Sequence, residues 1–249
     1  LAEQKALRRQ TTSNHQIDLC PLYGRTRAQT LALRVDRHNQ SALALARMLG
    51  PQAFGRYGYI ASTVALFGFL ATLGIRFLII REVARDDART RSILGDGMAL
   101  VATTSSIAFF GIVAMVAAQS PDTEMFAAAT LAAIGLGFNA LAFVPMGILQ
   151  GWRRMFLQVP ATLASRIVLV AATFGLLAIG WGLAGAFAAQ ALAAATWFVM
   201  MLVAVWRVTG TPEAPDLGRM RLLLRRSTPF AANALFGAVY LEADVLLLM

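Results

Sequence analysis

YGYIASTVALFGFLATLGIRFLII, residues Tyr57–Ile80, runs directly into REVARDDARTRS, residues Arg81–Ser92. The first segment is apolar except for a few hydroxyls and Arg76, which lies near its end. At ~1.5 Å of rise per residue, a helix of that length covers a ~30 Å hydrocarbon layer. The second segment holds Arg81, Arg85, Arg89 and Arg91. A long apolar stretch that ends in an arginine cluster reads as a membrane span stopping on the cytoplasmic side.

The pattern repeats along the chain. Ile93–Ala118, Met125–Leu149, Phe156–Ile179 and Leu183–Val205 are further apolar stretches of spanning length, and another begins at Pro229. The connections between them alternate in charge. Gln119–Glu124 carries Asp122 and Glu124 without a basic residue, and Gly180–Gly182 is uncharged. By contrast, Arg153 and Arg154 mark one turn, and Trp206–Thr228 holds Arg207, Arg219, Arg221, Arg225 and Arg226. The arginine-rich connections belong in the cytoplasm and the other two outside. Parity then puts the segment before Tyr57 outside, so a basic N-terminus can be cytoplasmic only if one more crossing lies upstream.

That crossing reads poorly. Residues 1–40 are a polar, poorly matching N-terminal segment, and Arg34, Asp36, Arg37 and His38 interrupt the apolar run of Ala28–Leu33 before Ser41–Leu49 resumes it. Each central Arg or Asp costs about 2.5–3.5 kcal/mol on insertion scales. The expectation is a damaged or absent first helix. The chain opens on Leu1, and a wrong start or an upstream frame error is one source of that damage.

Composition agrees with a membrane chain. Of 249 residues 58% are hydrophobic and 14% charged, where a soluble domain carries nearer a quarter charged. The net charge of +9 is almost wholly arginine, because Lys5 is the only lysine. That charge sits in connections between apolar stretches, which indicates cytoplasmic anchoring and no nucleic-acid partner. Cys20 is alone and His15 and His38 are the only histidines, so neither a disulfide nor a metal site is expected. No cofactor is expected. There is no phosphate-cradling P-loop and no long external loop to hold a soluble catalytic centre, which argues against an enzyme.

Ionisable groups within spans are the candidate functional residues, because the bilayer makes them costly to keep. Arg166 is the sharpest, lying ~15 Å into its stretch, near mid-membrane. Its natural work is to attract a phosphate or carboxylate; the plainer reading is a structural pair. Arg76 can snorkel to the cytoplasmic interface. Asp96 reads as an interfacial carboxylate favoured by a helix N-terminus. Glu242 and Asp244, ~20 Å into the last stretch, point to different faces and are candidates for ion coupling. Asn139, Gln150, Gln190 and Asn233 are expected to hydrogen-bond between helices. The small residues Gly135, Gly182, Ala186 and Ala189 suit close helix packing.

Three pieces of the chain carry a family resemblance. Ala46–Tyr57 reads ARMLGPQAFGRY and is followed by Leu73–Ile75, LGI, and Arg81–Arg85, REVAR. Gly147–Arg154 reads GILQGWRR. Leu222–Leu248 has Pro229 opening an apolar stretch, then Tyr240 and Asp244. In this order and spacing they resemble the N-terminal half of the polysaccharide (O-antigen type) flippase family, within the multidrug/oligosaccharidyl-lipid/polysaccharide exporter superfamily. Two positions depart from its pattern: an acidic residue common before this LG is Thr72 here, and the small or polar residue after LGI is Arg76.

The resemblance implies an all-α integral membrane fold: an N-terminal six-helix bundle with a degenerate first helix, plus a truncated seventh helix of a two-bundle flippase. Residues 41–205 would form the N-terminal transmembrane bundle, 206–228 a basic cytoplasmic loop, and 229–249 the start of the second bundle. The implied function is translocation of a polyprenyl-pyrophosphate-linked oligosaccharide across the cytoplasmic (inner) membrane by alternating access. Arg166 and Arg76 would attract the pyrophosphate; Glu242, Asp244, Asp96 and Asn139 would serve coupling or line a polar cavity. Partners would be the lipid-linked oligosaccharide and membrane lipids, with polysaccharide assembly proteins also open. Two alternatives stand beside this reading: a multidrug or cation exporter, which favours acidic cavity groups, and a membrane glycosyltransferase or polymerase, which needs external acidic loops.

Overall fold

The computed structural model describes residues 55–72, 74–119 and 122–227. All regular structure among them is helical. Helix α1 covers residues 55–72, α2 Ile75–Arg85, α3 Thr90–Gln119, α4 Thr123–Gly151, α5 Gln158–Ala178, α6 Gly182–Thr209 and α7 residues 217–227. Short 3-10 turns lie at Asp87–Arg89 and Met155–Leu157. Among the described residues five stretches are long and apolar enough to cross a membrane, α1 and α2 together counting as the first. Residues 1–40, the degenerate first helix and everything from Pro229 onward, with Asn233, Glu242 and Asp244, lie outside the described residues.

Three boundaries differ from the reading of the sequence. The apolar run Tyr57–Ile80 is not one rod: Gly74 takes φ 65°, ψ 12°, a left-handed conformation that ends α1 and starts α2 anew. Only glycine adopts it without a Cβ penalty of roughly 1–2 kcal/mol. Thr104 Oγ1 of α3 donates to Ala71 O at 2.8 Å, beside the break. The last carbonyls of a helix lack intrahelical partners, and a hydroxyl from a neighbouring helix is one way to supply them inside lipid. The second difference is at Arg81–Ser92, where the helix persists to Arg85 before Asp86 turns it, its carboxylate accepting from Ala88 N at 3.1 Å. The third is at Trp206–Thr228, where α6 continues to Thr209 and α7 occupies residues 217–227.

Helix α4 is the hub. It packs on α2, α3 and α6, and α5 packs on α6. Small residues set these distances. A Cβ at Gly147 or Gly151 would stand about 3 Å from Ile79 or Val83 of α2, and one at Gly135 3.3 Å from the Ala191 backbone of α6. Without a hydrophobic drive between helices in lipid, such close approach is what gives dispersion its purchase. The core runs through Ile75, Ile79 and Val83 of α2, Leu94 and Val101 of α3, Val144 and Ile148 of α4, and Met201 and Val205 of α6. By contrast, α5 buries only Ala161.

The two ends of the bundle are chemically distinct. At one end Arg56 pairs with Asp122 at 2.7 Å, and Tyr59 OH donates to Gln119 Oε1 at 2.7 Å. At the other, Arg226 pairs with Glu82 at 3.3 Å, Arg219 with Asp96 at 2.9 Å, and Glu213 N donates to Arg91 O at 3.3 Å. The arginine-rich connections after α2 and α6 therefore share one end, and the acidic α3–α4 turn does not.

Candidate functional site

Arg76 is the second residue of α2, just after the break at Gly74. Restarting the helix there places its side chain against α4. Gln150 Oε1 accepts from Arg76 Nε at 3.3 Å and from Nη2 at 3.1 Å. The guanidinium also lies 5.8 Å from the ring centre of Phe77 and 5.9 Å from that of Phe143. An aromatic face attracts a cation, so the group is held on two sides by rings and on one edge by an amide. The side chain is half-buried and anchored between two helices. Arginine has five N–H donors, and Gln150 takes two. The remaining three have no acceptor among the described residues, which is the arrangement a phosphate or carboxylate requires.

Trp197 of α6 packs on the Phe143 ring. Its indole meets Phe143 edge-on at 5.9 Å, and its buried Nε1–H has no acceptor among the described residues. Sequence reasoning missed Trp197, because a tryptophan in an apolar span carries no signal beyond packing. Gln150 was legible only as an interhelical hydrogen-bonding group, which it is.

Arg166 lies elsewhere. It sits on the uncovered side of α5 among Val159, Leu163, Val170 and Phe174, each more than half exposed. It makes no hydrogen bond or ion pair among the described residues, and the fold does not bring it to Arg76. A guanidinium amid exposed apolar side chains, near the middle of a span, is unfavourable against lipid tails.

Asp96 faces neither lipid nor a cavity. It is 2% exposed. Its Oδ1 accepts from Asp216 N at 2.9 Å and its Oδ2 lies 2.9 Å from Arg219 Nε. That Nε–H is not aligned for a hydrogen bond, so the second contact is a charge pair. Beside it, a Cβ on Gly95 would collide with Glu213 O, so only glycine admits this backbone. Asp96 thus fastens the 213–219 segment to the top of α3. Asn139 is exposed on α4, with no side-chain hydrogen bond among the described residues. Gln190 of α6 donates to Tyr57 OH at 3.0 Å, the interhelical role its position suggests. No group of three or more metal-ligating side chains occurs among the described residues.

The family model for polysaccharide biosynthesis proteins matches residues 42–249. The chain belongs to that family. No curated protein and no solved structure matches it. This member of the polysaccharide biosynthesis family is an all-α, multi-pass membrane protein. Membership supports a part in polysaccharide export or flipping, in a family made up mostly of transporters and flippases.

Proposed function

We propose that the chain forms the N-terminal bundle of a flippase that moves a polyprenyl-pyrophosphate-linked oligosaccharide across the cytoplasmic membrane by alternating access. The observation that carries the reading is the anchored Arg76 guanidinium with three N–H donors to spare in an apolar aromatic setting. A pyrophosphate leaving water meets a large desolvation cost, and a fixed cation in low dielectric offsets part of it. Arg166 has a matching role: on the otherwise apolar outer face of α5 it is tolerable if that face borders the polar transport path. Residues 229–249 would begin the second bundle, and rocking of one bundle on the other would expose the site to each leaflet in turn. Membrane lipids and polysaccharide assembly proteins would be its surroundings.

A cation exporter needs unneutralised carboxylates on its path. Among the described residues Asp96 is instead neutralised by Arg219, and Asp122 and Glu124 face Arg56, while Glu242 and Asp244 lie outside them. The test is complementation of a flippase-deficient strain with the full-length transporter carrying Arg76→Ala, Arg76→Lys or Arg166→Ala. Surface polysaccharide should fall at least tenfold for Arg76→Ala at equal membrane abundance, with Arg76→Lys in between, since a lysine keeps the charge but loses the fork. Undiminished polysaccharide for both alanine variants overturns the assignment.

A further inference from the structure

One stripe of α4 runs through Asn139, Phe143, Met146 and Gln150. Spacings of four, three and four residues stack these side chains on a single side of a helix. Phe143, Met146 and Gln150 are half-buried and Asn139 is exposed. Ala140, Val144, Gly147 and Ile148, turned away from the stripe, are all buried. Gln150 and Phe143 bracket the Arg76 guanidinium along this stripe. Asn139 lies one turn beyond Phe143, toward the middle of the 29-residue helix. At ~1.5 Å of rise per residue it stands on the order of 10 Å from the guanidinium.

The asparagine amide carries two N–H donors and an acceptor oxygen. That of Asn139 makes no hydrogen bond among the described residues. Hydrocarbon would leave all of those groups unmet near mid-span, at substantial cost. The exposed side of the stripe therefore suits a wet path or a polar ligand, and not lipid tails. The two ends of the stripe also differ in what they recognise. The spare N–H donors of Arg76 match a group that only accepts, such as a phosphate. Donor and acceptor side by side on Asn139 match adjacent hydroxyls, each of which both gives and takes a hydrogen bond. Phe143, on the same face one turn away, offers a ring to the apolar C–H side of a sugar. We propose that Asn139 binds the sugar unit next to the pyrophosphate, so that the site reads carbohydrate as well as charge. The assignment rests on Arg76 holding the pyrophosphate, since the separation along α4 suits one sugar ring joined to that group.

The test is calorimetric titration of the full-length transporter in lipid nanodiscs with two probes of equal charge. One is farnesyl pyrophosphate esterified to glucose, the other its methyl ester, which lacks the sugar. The parent should bind the glucosyl probe roughly tenfold more tightly, as one or two hydrogen bonds allow. Asn139→Ala should abolish that preference by weakening the glucosyl probe alone, and retained binding of the methyl ester shows that the fold is intact. Arg76→Ala should weaken both probes by the same factor. A parent without preference, or an Asn139→Ala variant that keeps the preference or weakens both probes alike, overturns the sugar assignment while leaving the Arg76 site standing. Unchanged binding of both probes in Arg76→Ala instead overturns the pyrophosphate site, and the placement of the sugar with it.

Discussion

Gly95 and Asp96 illustrate how much a single position can decide here. A methyl at residue 95 would collide with a backbone carbonyl, Glu213 O, which cannot rotate aside as a side chain would. Gly95→Ala should therefore release the 213–219 segment even though alanine is the better helix former by about 1 kcal/mol. Trypsin treatment of reconstituted protein reads this out: cleavage at Arg219 and Arg221 should quicken several-fold in Gly95→Ala. Asp96→Asn should be milder, since the amide oxygen still accepts from Asp216 N while the charge pair is lost. Asp96→Leu should be worse, at about 1–3 kcal/mol, because it leaves the Asp216 N–H without its acceptor. The sequence marked Asp96 and Arg76 as charges in unusual places but could not name their partners. Arg219 and Gln150 are distant in the chain, and no periodicity links residues that meet only through tertiary packing. Asp96 therefore read as a dipole-stabilised carboxylate, and Arg76 as a guanidinium reaching for the interface.

Among the elements, the break between α1 and α2 and the presence of α7 were the features least visible beforehand. An uninterrupted apolar run hides the break, because hydropathy is blind to one residue's φ. The LGI of the family pattern, Leu73–Ile75, marks the place once the left-handed Gly74 is known. The break makes a specific demand on α3. Thr104→Val preserves shape and removes the hydroxyl that reaches Ala71 O. Interhelical bonds of this kind contribute about 0.6–1.7 kcal/mol in membranes, so thermal unfolding in detergent should occur a few degrees lower, with Thr104→Ser close to the parent. An unchanged transition in Thr104→Val would mean that water or a backbone N–H serves that carbonyl as well. α7 escaped notice for another reason. Its arginines fall on two faces, so the stretch reads as a basic loop until the pairs with Asp96 and Glu82 separate one set from the other.

At the scale of the molecule, charge pattern carried the fold. The long apolar helices and the grouping of the connections by charge were legible because lipid imposes length and arginine imposes side. The fold adds an independent check, since contacts know nothing of the positive-inside rule. Arg226–Glu82 and Glu213–Arg91 bring the two longest basic connections to one end, while Arg56–Asp122 ties the start of α1 to the acidic turn at the other. The contacts thus group the two basic connections as the charge pattern does. That grouping predicts that, in a Cys20→Ser background, Arg89→Cys and Arg225→Cys react with a membrane-impermeant maleimide from the same side. Thr123→Cys, at the first residue of α4, should react only from the opposite side. In right-side-out vesicles Thr123→Cys should label directly and the other two only after permeabilisation. Labelling of Arg89→Cys and Arg225→Cys from opposite sides would break the bundle as described, because Arg226 could not then reach Glu82. Labelling of all three from one side would leave the helices intact but deny that α3 crosses the bilayer.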